Sequence, residues 1–204
     1  MSDLARRIID HYEHHALAWD LDRGSNAWND ACWHDRFRKS LPEQATVLDL
    51  GCGSGRPVAS HFASAGFRLT GIDAAPTMIA LCRRRLPAHE WIVADMRTLA
   101  LGRRFQGILA FDSYFHLHYD DQRRMFDVFA AHASPRALLM FNTGPGHGEA
   151  IGSYRGDPLY HASLAASEYE SLIAAAGFDL VAHATNDAEA GGRTVWLARS
   201  RMAA

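Results

Sequence analysis

The sequence predicts an α/β fold: a doubly wound, mostly parallel seven-stranded sheet with helices on both faces and an antiparallel last strand. Three observations carry this. Short apolar runs, such as residues 47–50 and 91–93, alternate with stretches long enough for amphipathic helices. The runs are nearly continuous in apolar character, as strands buried on both faces must be. A late pair of runs, 178–184 and 194–199, is joined by a polar turn containing Gly191-Gly192, which reads as a hairpin reversing the last strand.

Taken in order, residues 8–22 and 28–39 read as two leading helices. The first strand follows Pro42 and covers 47–50. Residues 57–65 form a helix that Pro57 can open and Gly66 can close. Strands at 68–73, 91–95 and 107–111 follow, with a helix at 74–85 carrying Pro76 in its first turn. Met125, Val128 and Phe129 stand at helical spacing within 120–132. Residues 137–141 are the fifth strand, and 168–176 a helix closed by Gly177. All of 1–204 reads as one domain. Two segments fall outside the skeleton: an N-terminal helical cap, 1–40, and a loop at 142–166 long enough to be a substrate lid.

Composition narrows the function. The chain has 204 residues, 48% hydrophobic and 22% charged, an ordinary balance for one α/β core. A formal net charge of −2 gives no field for nucleic acid or an anionic membrane. No apolar stretch approaches a membrane span, and the first ten residues lack the apolar stretch of an export signal. Three scattered cysteines suggest neither a disulfide framework nor a zinc knuckle. A cytoplasmic monomer or homodimer is expected. Lys39 is the only lysine, which removes Schiff-base and P-loop chemistry.

The most informative segment is Val47-Leu48-Asp49-Leu50-Gly51-Cys52-Gly53-Ser54-Gly55. A strand ends in a glycine-rich turn that a ligand can approach closely, just before a helix N-terminus. The spacing is G-x-G-x-G, with Arg56 where a dinucleotide fingerprint continues toward its third glycine. A second strand ends at Asp73, placed to accept ribose hydroxyls. A third ends at Asp95-Met96, and a fourth at Phe111-Asp112-Ser113.

This set of four segments, in this order, resembles the class I S-adenosylmethionine (SAM) methyltransferases, and among them the small bacterial members acting on small molecules. The resemblance implies SAM as cofactor and S-adenosylhomocysteine as product. It implies that Asp49, Gly51, Cys52, Gly53 and Gly55 surround the cofactor on the first strand's side. It gives Asp73 the ribose, with Ala74 and Met78 beside it. Asp95 and Met96 would border the adenine, and Phe111 and Asp112 the methionine part. No resident metal is implied. A catechol-type magnesium site would need an acid where Phe141 stands and a lysine base, and nucleobase amino methylation a diproline motif that Asp112-Ser113-Tyr114-Phe115 lacks.

The acceptor is less defined, and oxygen, nitrogen, carbon and sulfur remain open. Ligands of open α/β sheets sit beyond the carboxyl ends of the strands, where the cap and the 142–166 segment would close the crevice. Tyr12, Trp19, Arg23, Ser113 and Tyr160 are therefore expected to bind substrate. His116 and His147 are the candidate general bases, because an imidazole titrates near neutral pH. His11 and His15, four apart on a helix, also have metal-ligand spacing, but the pattern alone is weak. An RNA or protein methyltransferase and a non-catalytic SAM or S-adenosylhomocysteine sensor are the alternative readings.

Overall fold

The computed structural model describes residues 3–201; the first two and last three residues of the expected 1–204 domain lie outside the described residues. A short helix α1 (Asp3–Arg6) precedes α2 (Ile8–Ser25) and α3 (Ala31–Lys39). The core follows as β1 (Thr46–Leu50), α4 (Val58–Ser64), β2 (Arg68–Asp73), α5 (Pro76–Arg85), β3 (Glu90–Val93), β4 (Phe105–Ala110), α6 (Tyr119–His132) and β5 (Ala133–Thr143). Then come β6 (Gly148–Tyr154), β7 (Asp157–Ser163), α7 (Ala166–Ala175), β8 (Phe178–Asp187) and β9 (Arg193–Ser200).

Seven strands form one sheet in the order β3-β2-β1-β4-β5-β9-β8. The pairs from β3 through β5 are parallel, and β9 is antiparallel to both of its neighbours. Strand order reverses at β1, so β1 and β4 part around a crevice at their carboxyl ends, the usual ligand position in such sheets. Two hydrophobic clusters flank the sheet. One holds Leu48, Ile108, Phe129, Phe141 and Trp196, and the other Val47, Phe62, Leu69, Ile79 and Leu109. Strand alternation sends Val47 and Leu48 to opposite faces, which is why the runs read as uniformly apolar.

The two extra segments differ in detail from their sequence reading. Helix α3 starts at Ala31, so Trp28 is not helical; its ring meets His61 edge-on at 4.9 Å between centroids. The expected lid loop, 142–166, is mostly an antiparallel hairpin of β6 and β7, with Tyr154 paired to Asp157. Arg155 (φ +51°) and Gly156 (φ +90°) make the two-residue turn with both residues at positive φ, the form that suits the twist of a tight hairpin.

Candidate functional site

The turn after β1 is pinned from the next strand. The N–H groups of Gly51 and Cys52 both donate to the carbonyl of Ile72, at 2.7 and 3.0 Å. Gly51 has φ +75°, and a Cβ there would lie 2.3 Å from the Ser113 Cβ, so no side chain fits. Gly53 has φ +54° and nothing within 4 Å of where its Cβ would stand. That open space belongs to a cavity at the ends of β1, β2 and β4.

Asp73, the last residue of β2, faces the same cavity. Its Oδ2 accepts the Gly53 N–H and its Oδ1 the Ala75 N–H, each at 2.9 Å. One carboxylate thus ties the β1 turn to the start of α5, with lone pairs left for a ligand. Burial pushes the Asp73 carboxyl up to about 6, against the pull of those backbone donors. Ala74 and Met78 line the cavity beyond it. Asp95 and Met96 line the other end. Burial raises the Asp95 carboxyl, but hydrogen bonds from the Arg97 side chain and backbone outweigh it and hold it below the usual carboxylate range.

The fourth strand end carries a charge cluster. Asp112 sits at φ +51°. Its Oδ1 and Oδ2 accept Nε and Nη2 of Arg193 at 2.7 and 2.8 Å, a bidentate pair. Asn142 at the end of β5 donates to Oδ1 and accepts the Asp112 N–H, at 2.9 and 2.8 Å. Arg23 approaches Oδ2 at 3.4 Å. Burial would raise this carboxyl, yet Arg193, Arg23 and Asn142 hold it low, and it stays ionised.

A second cavity adjoins the first, and they share lining residues. Its walls are the β5–β6 connection, the inner face of β7, Arg23 of the cap, and Gly192 with Arg193. Tyr12, Trp19, Asp112 and His116 line both cavities. Ser113 faces only the first, and its hydroxyl donates to the Leu50 carbonyl at 2.7 Å.

The imidazole of His116 has both nitrogens engaged. Nδ1 donates to the Tyr160 carbonyl at 2.8 Å, which leaves Nε2 to accept the Tyr12 hydroxyl at 2.7 Å. Burial pushes this imidazole down to about 3, and pushes the Tyr12 hydroxyl well above its ordinary range. His116 therefore stays neutral and its lone pair is already used, which corrects its expected role as a general base. It is a positioning residue for Tyr12. His147 stands exposed at the mouth of the second cavity, stacked on Tyr119 at 4.9 Å.

Several other expected contacts fall elsewhere. Tyr160 is buried away from the cavities and its hydroxyl donates to Glu149 at 2.8 Å. The pleat of β7 turns its neighbour His161 into the second cavity instead. Asp49, Cys52, Gly55 and Phe111 line neither cavity. Cys52 and Phe111 belong to the hydrophobic cluster that holds Val47. A Cβ on Gly55 would come within 3.2 Å of the Cys82 sulfur, so this glycine serves close helix packing. Arg193, Asn142 and His161 were not among the expected site residues; Asn142 and His161 lie in the segment expected to close the crevice, whereas long-range pairing brings Arg193 to it.

Asp49 lies buried behind the turn, and burial with the nearby Asp73 charge pushes its carboxyl up to about 7. The folded state holds its proton more tightly than the unfolded chain. Stability from Asp49 is therefore present below the ordinary carboxylate pKa and is lost as pH rises toward 7, with Asp73 adding to the loss up to about 6. The Asp49 contribution is expected to fall between about pH 4 and pH 7, so the stability of Asp49→Asn relative to wild type should increase across that window. Denaturant unfolding of both proteins at several pH values checks this; a difference between them that does not change across the window contradicts it.

The chain is a doubly wound sheet with a crevice at its switch point. Residues 47–136 match the methyltransferase-domain family. The chain is 32% identical over 105 residues to a dTDP-3-amino-3,6-dideoxy-α-D-glucopyranose N,N-dimethyltransferase from Streptomyces fradiae, covering 50% of this chain and 41% of that protein. It is 28% identical over 135 residues to the corresponding dTDP-3-amino-3,4,6-trideoxy-α-D-glucopyranose enzyme of Streptomyces venezuelae, covering 65% and 56%. The chain thus spans about half the length of these relatives. Among solved structures, the fold matches a Burkholderia thailandensis 1,6-didemethyltoxoflavin N1-methyltransferase with bound S-adenosylhomocysteine, at a TM-score of 0.77 and 20% identity, covering 98% of this chain and 92% of that one. It also matches a SAM-bound amino pentose methyltransferase from Micromonospora echinaspora, at a TM-score of 0.70 and 22% identity, covering 90% and 95%.

Proposed function

We propose that the chain binds SAM in the first cavity and transfers its methyl group to a small molecule in the second. The observation that carries this reading is the wall of Tyr12, Trp19, Asp112 and His116 shared by the two cavities. The first cavity fits a nucleoside, with open space over the Gly53 backbone and a buried carboxylate at Asp73. When bound, SAM supplies a methyl carbon already activated by its sulfonium for in-line displacement. The chain's own work is then orientation and exclusion of water. Asp73 accepts the ribose hydroxyls, Asp95 and Met96 border the adenine, and Asp112 with Tyr12 stands at the junction where methyl and acceptor meet.

Of the acceptors open to this chemistry, the names of the relatives favour nitrogen, several being amino-sugar N,N-dimethyltransferases. An amine must shed its proton before attack. His161 is half-buried in the second cavity, and burial holds its imidazole below the ordinary range, so it is neutral and able to take that proton. His147, at the mouth, stands next in line. A metal is not needed for this route, and two guanidinium groups already neutralise Asp112. On this reading residues 1–204 act as one unit, with the cap and the β6–β7 hairpin closing the acceptor cavity. Among the described residues no helix is long and apolar enough to cross a membrane. A cytoplasmic monomer or homodimer acting on neither nucleic acid nor membrane fits the charge balance.

His161→Ala is expected to lower turnover by about a hundredfold while leaving SAM affinity unchanged. Full activity in that variant removes His161 as the base. The reading itself is tested by incubating the chain with methyl-labelled SAM and a panel of nucleotide-linked amino sugars, simpler amines and carboxylates, with products read by mass spectrometry. Transfer to a panel member supports it. Transfer to RNA or protein alone contradicts it, and tight SAM binding with no transfer favours the sensor.

A further inference from the structure

We infer that the outer side of the cap carries a divalent-metal site, made by His11 and His15 of α2 and Asp157 of β7, which clamps the cap to the hairpin. One ligand atom from each residue lies within 4.8 Å of the other two. The two histidines are four apart on one helix, so their rings fall on the same face, and the centroids are 4.8 Å apart. His15 Nε2 already meets Asp157 Oδ2 at 2.7 Å, across 142 residues of sequence. His11 Nε2 is buried and has no hydrogen-bond partner. A buried imidazole nitrogen in that state lacks its compensating bond, and a cation between the three groups provides it.

The donor set points to the ion. Two imidazoles and one carboxylate suit Zn²⁺ in tetrahedral coordination, with a water in the fourth position. The metal takes the place of the proton shared between His15 and Asp157, so both ligands bind it in their usual forms. Access is available: His11, His14 and Asp157 line a cleft that also includes Arg7, Asp10 and Pro158. The rings are held in place as well, because Tyr154 packs edge-on against His15 at 5.3 Å and against His11 at 6.2 Å. Tyr154 itself donates to Asp22 of α2 at 2.6 Å, a second tie between the same two elements.

None of the three ligands lines either cavity described above, so the site acts on the closure of the acceptor cavity and not on methyl transfer itself. It stands whether or not the methyltransferase reading does.

The test is titration of the full chain with Zn²⁺, and with Co²⁺ as its spectroscopic substitute. Wild type should bind one equivalent of Zn²⁺, show visible Co²⁺ bands of a four-coordinate site, and gain thermal stability with Zn²⁺. Loss of even an outer partner of a metal site costs about 10–100-fold in affinity, so His11→Ala and Asp157→Asn should lose at least about tenfold. The Asp157 side chain is 55% exposed, so Asp157→Asn keeps the fold, which circular dichroism verifies. His14→Ala, altering an exposed neighbour on the same turn, should leave binding intact. Absence of stoichiometric binding to wild type overturns the proposal. So does equal binding in wild type and in folded His11→Ala and Asp157→Asn, since the metal would then sit elsewhere.

Discussion

Asp112→Ala is expected to destabilise the chain by roughly 3–5 kcal/mol, because it leaves Arg193 with its bidentate partner removed in a largely buried setting. The effect is large for a domain whose total stability is on the order of 5–15 kcal/mol. Three elements lose their common anchor at once: Arg23 from the cap, Asn142 from β5 and Arg193 from β9. The Arg193 guanidinium also lies 3.4 Å from the buried Asp30, so the displaced charge has one carboxylate left. Asp112→Asn should cost less than the alanine variant, since an amide keeps one acceptor for Arg193. Urea unfolding of the three proteins checks the order; a loss below about 1 kcal/mol for Asp112→Ala places the cluster among surface ion pairs.

Asp73→Ala is expected to lower SAM affinity tenfold or more. Hydrogen bonds to a charged group contribute roughly 1.5–3 kcal/mol each, and the carboxylate also holds the Gly53 N–H that shapes the turn. Gly53→Val should do at least as much damage. Its positive φ costs a side-chain-bearing residue about 1–2 kcal/mol, and the branched side chain fills space that the ligand needs. Calorimetric titration of folded variants with SAM gives both numbers. Unchanged affinity in Asp73→Ala removes the carboxylate from the ribose.

What the sequence showed plainly was local. Gly51, Gly53, Asp73, Asp95 and Met96 stand at strand ends, and a strand end followed by a helix is written in adjacent residues. The antiparallel last strand was legible for the same reason, through Gly191-Gly192 between two apolar runs. The hairpin was not. Gly148, Gly152, Gly156 and Pro158 interrupt its apolar pattern, and much of β6 faces solvent, so no alternation announces it. Without its partner strand, nothing in the sequence decides whether Tyr160 or His161 points into the cavity, because a shift of one residue exchanges the two faces. Arg193 was hidden by distance, meeting Asp112 across 81 residues. The loss of His116 as a base follows from burial and two hydrogen bonds, neither of which residue type or spacing reveals.

The most direct measurement is a crystal structure of the chain with S-adenosylhomocysteine. The account predicts the ribose hydroxyls within hydrogen-bond distance of Asp73, the adenine between Asp95–Met96 and Met78, and the sulfur at the wall of Tyr12, Asp112 and His116, facing the second cavity. A nucleoside bound away from Asp73, or a sulfur directed away from that wall, contradicts it.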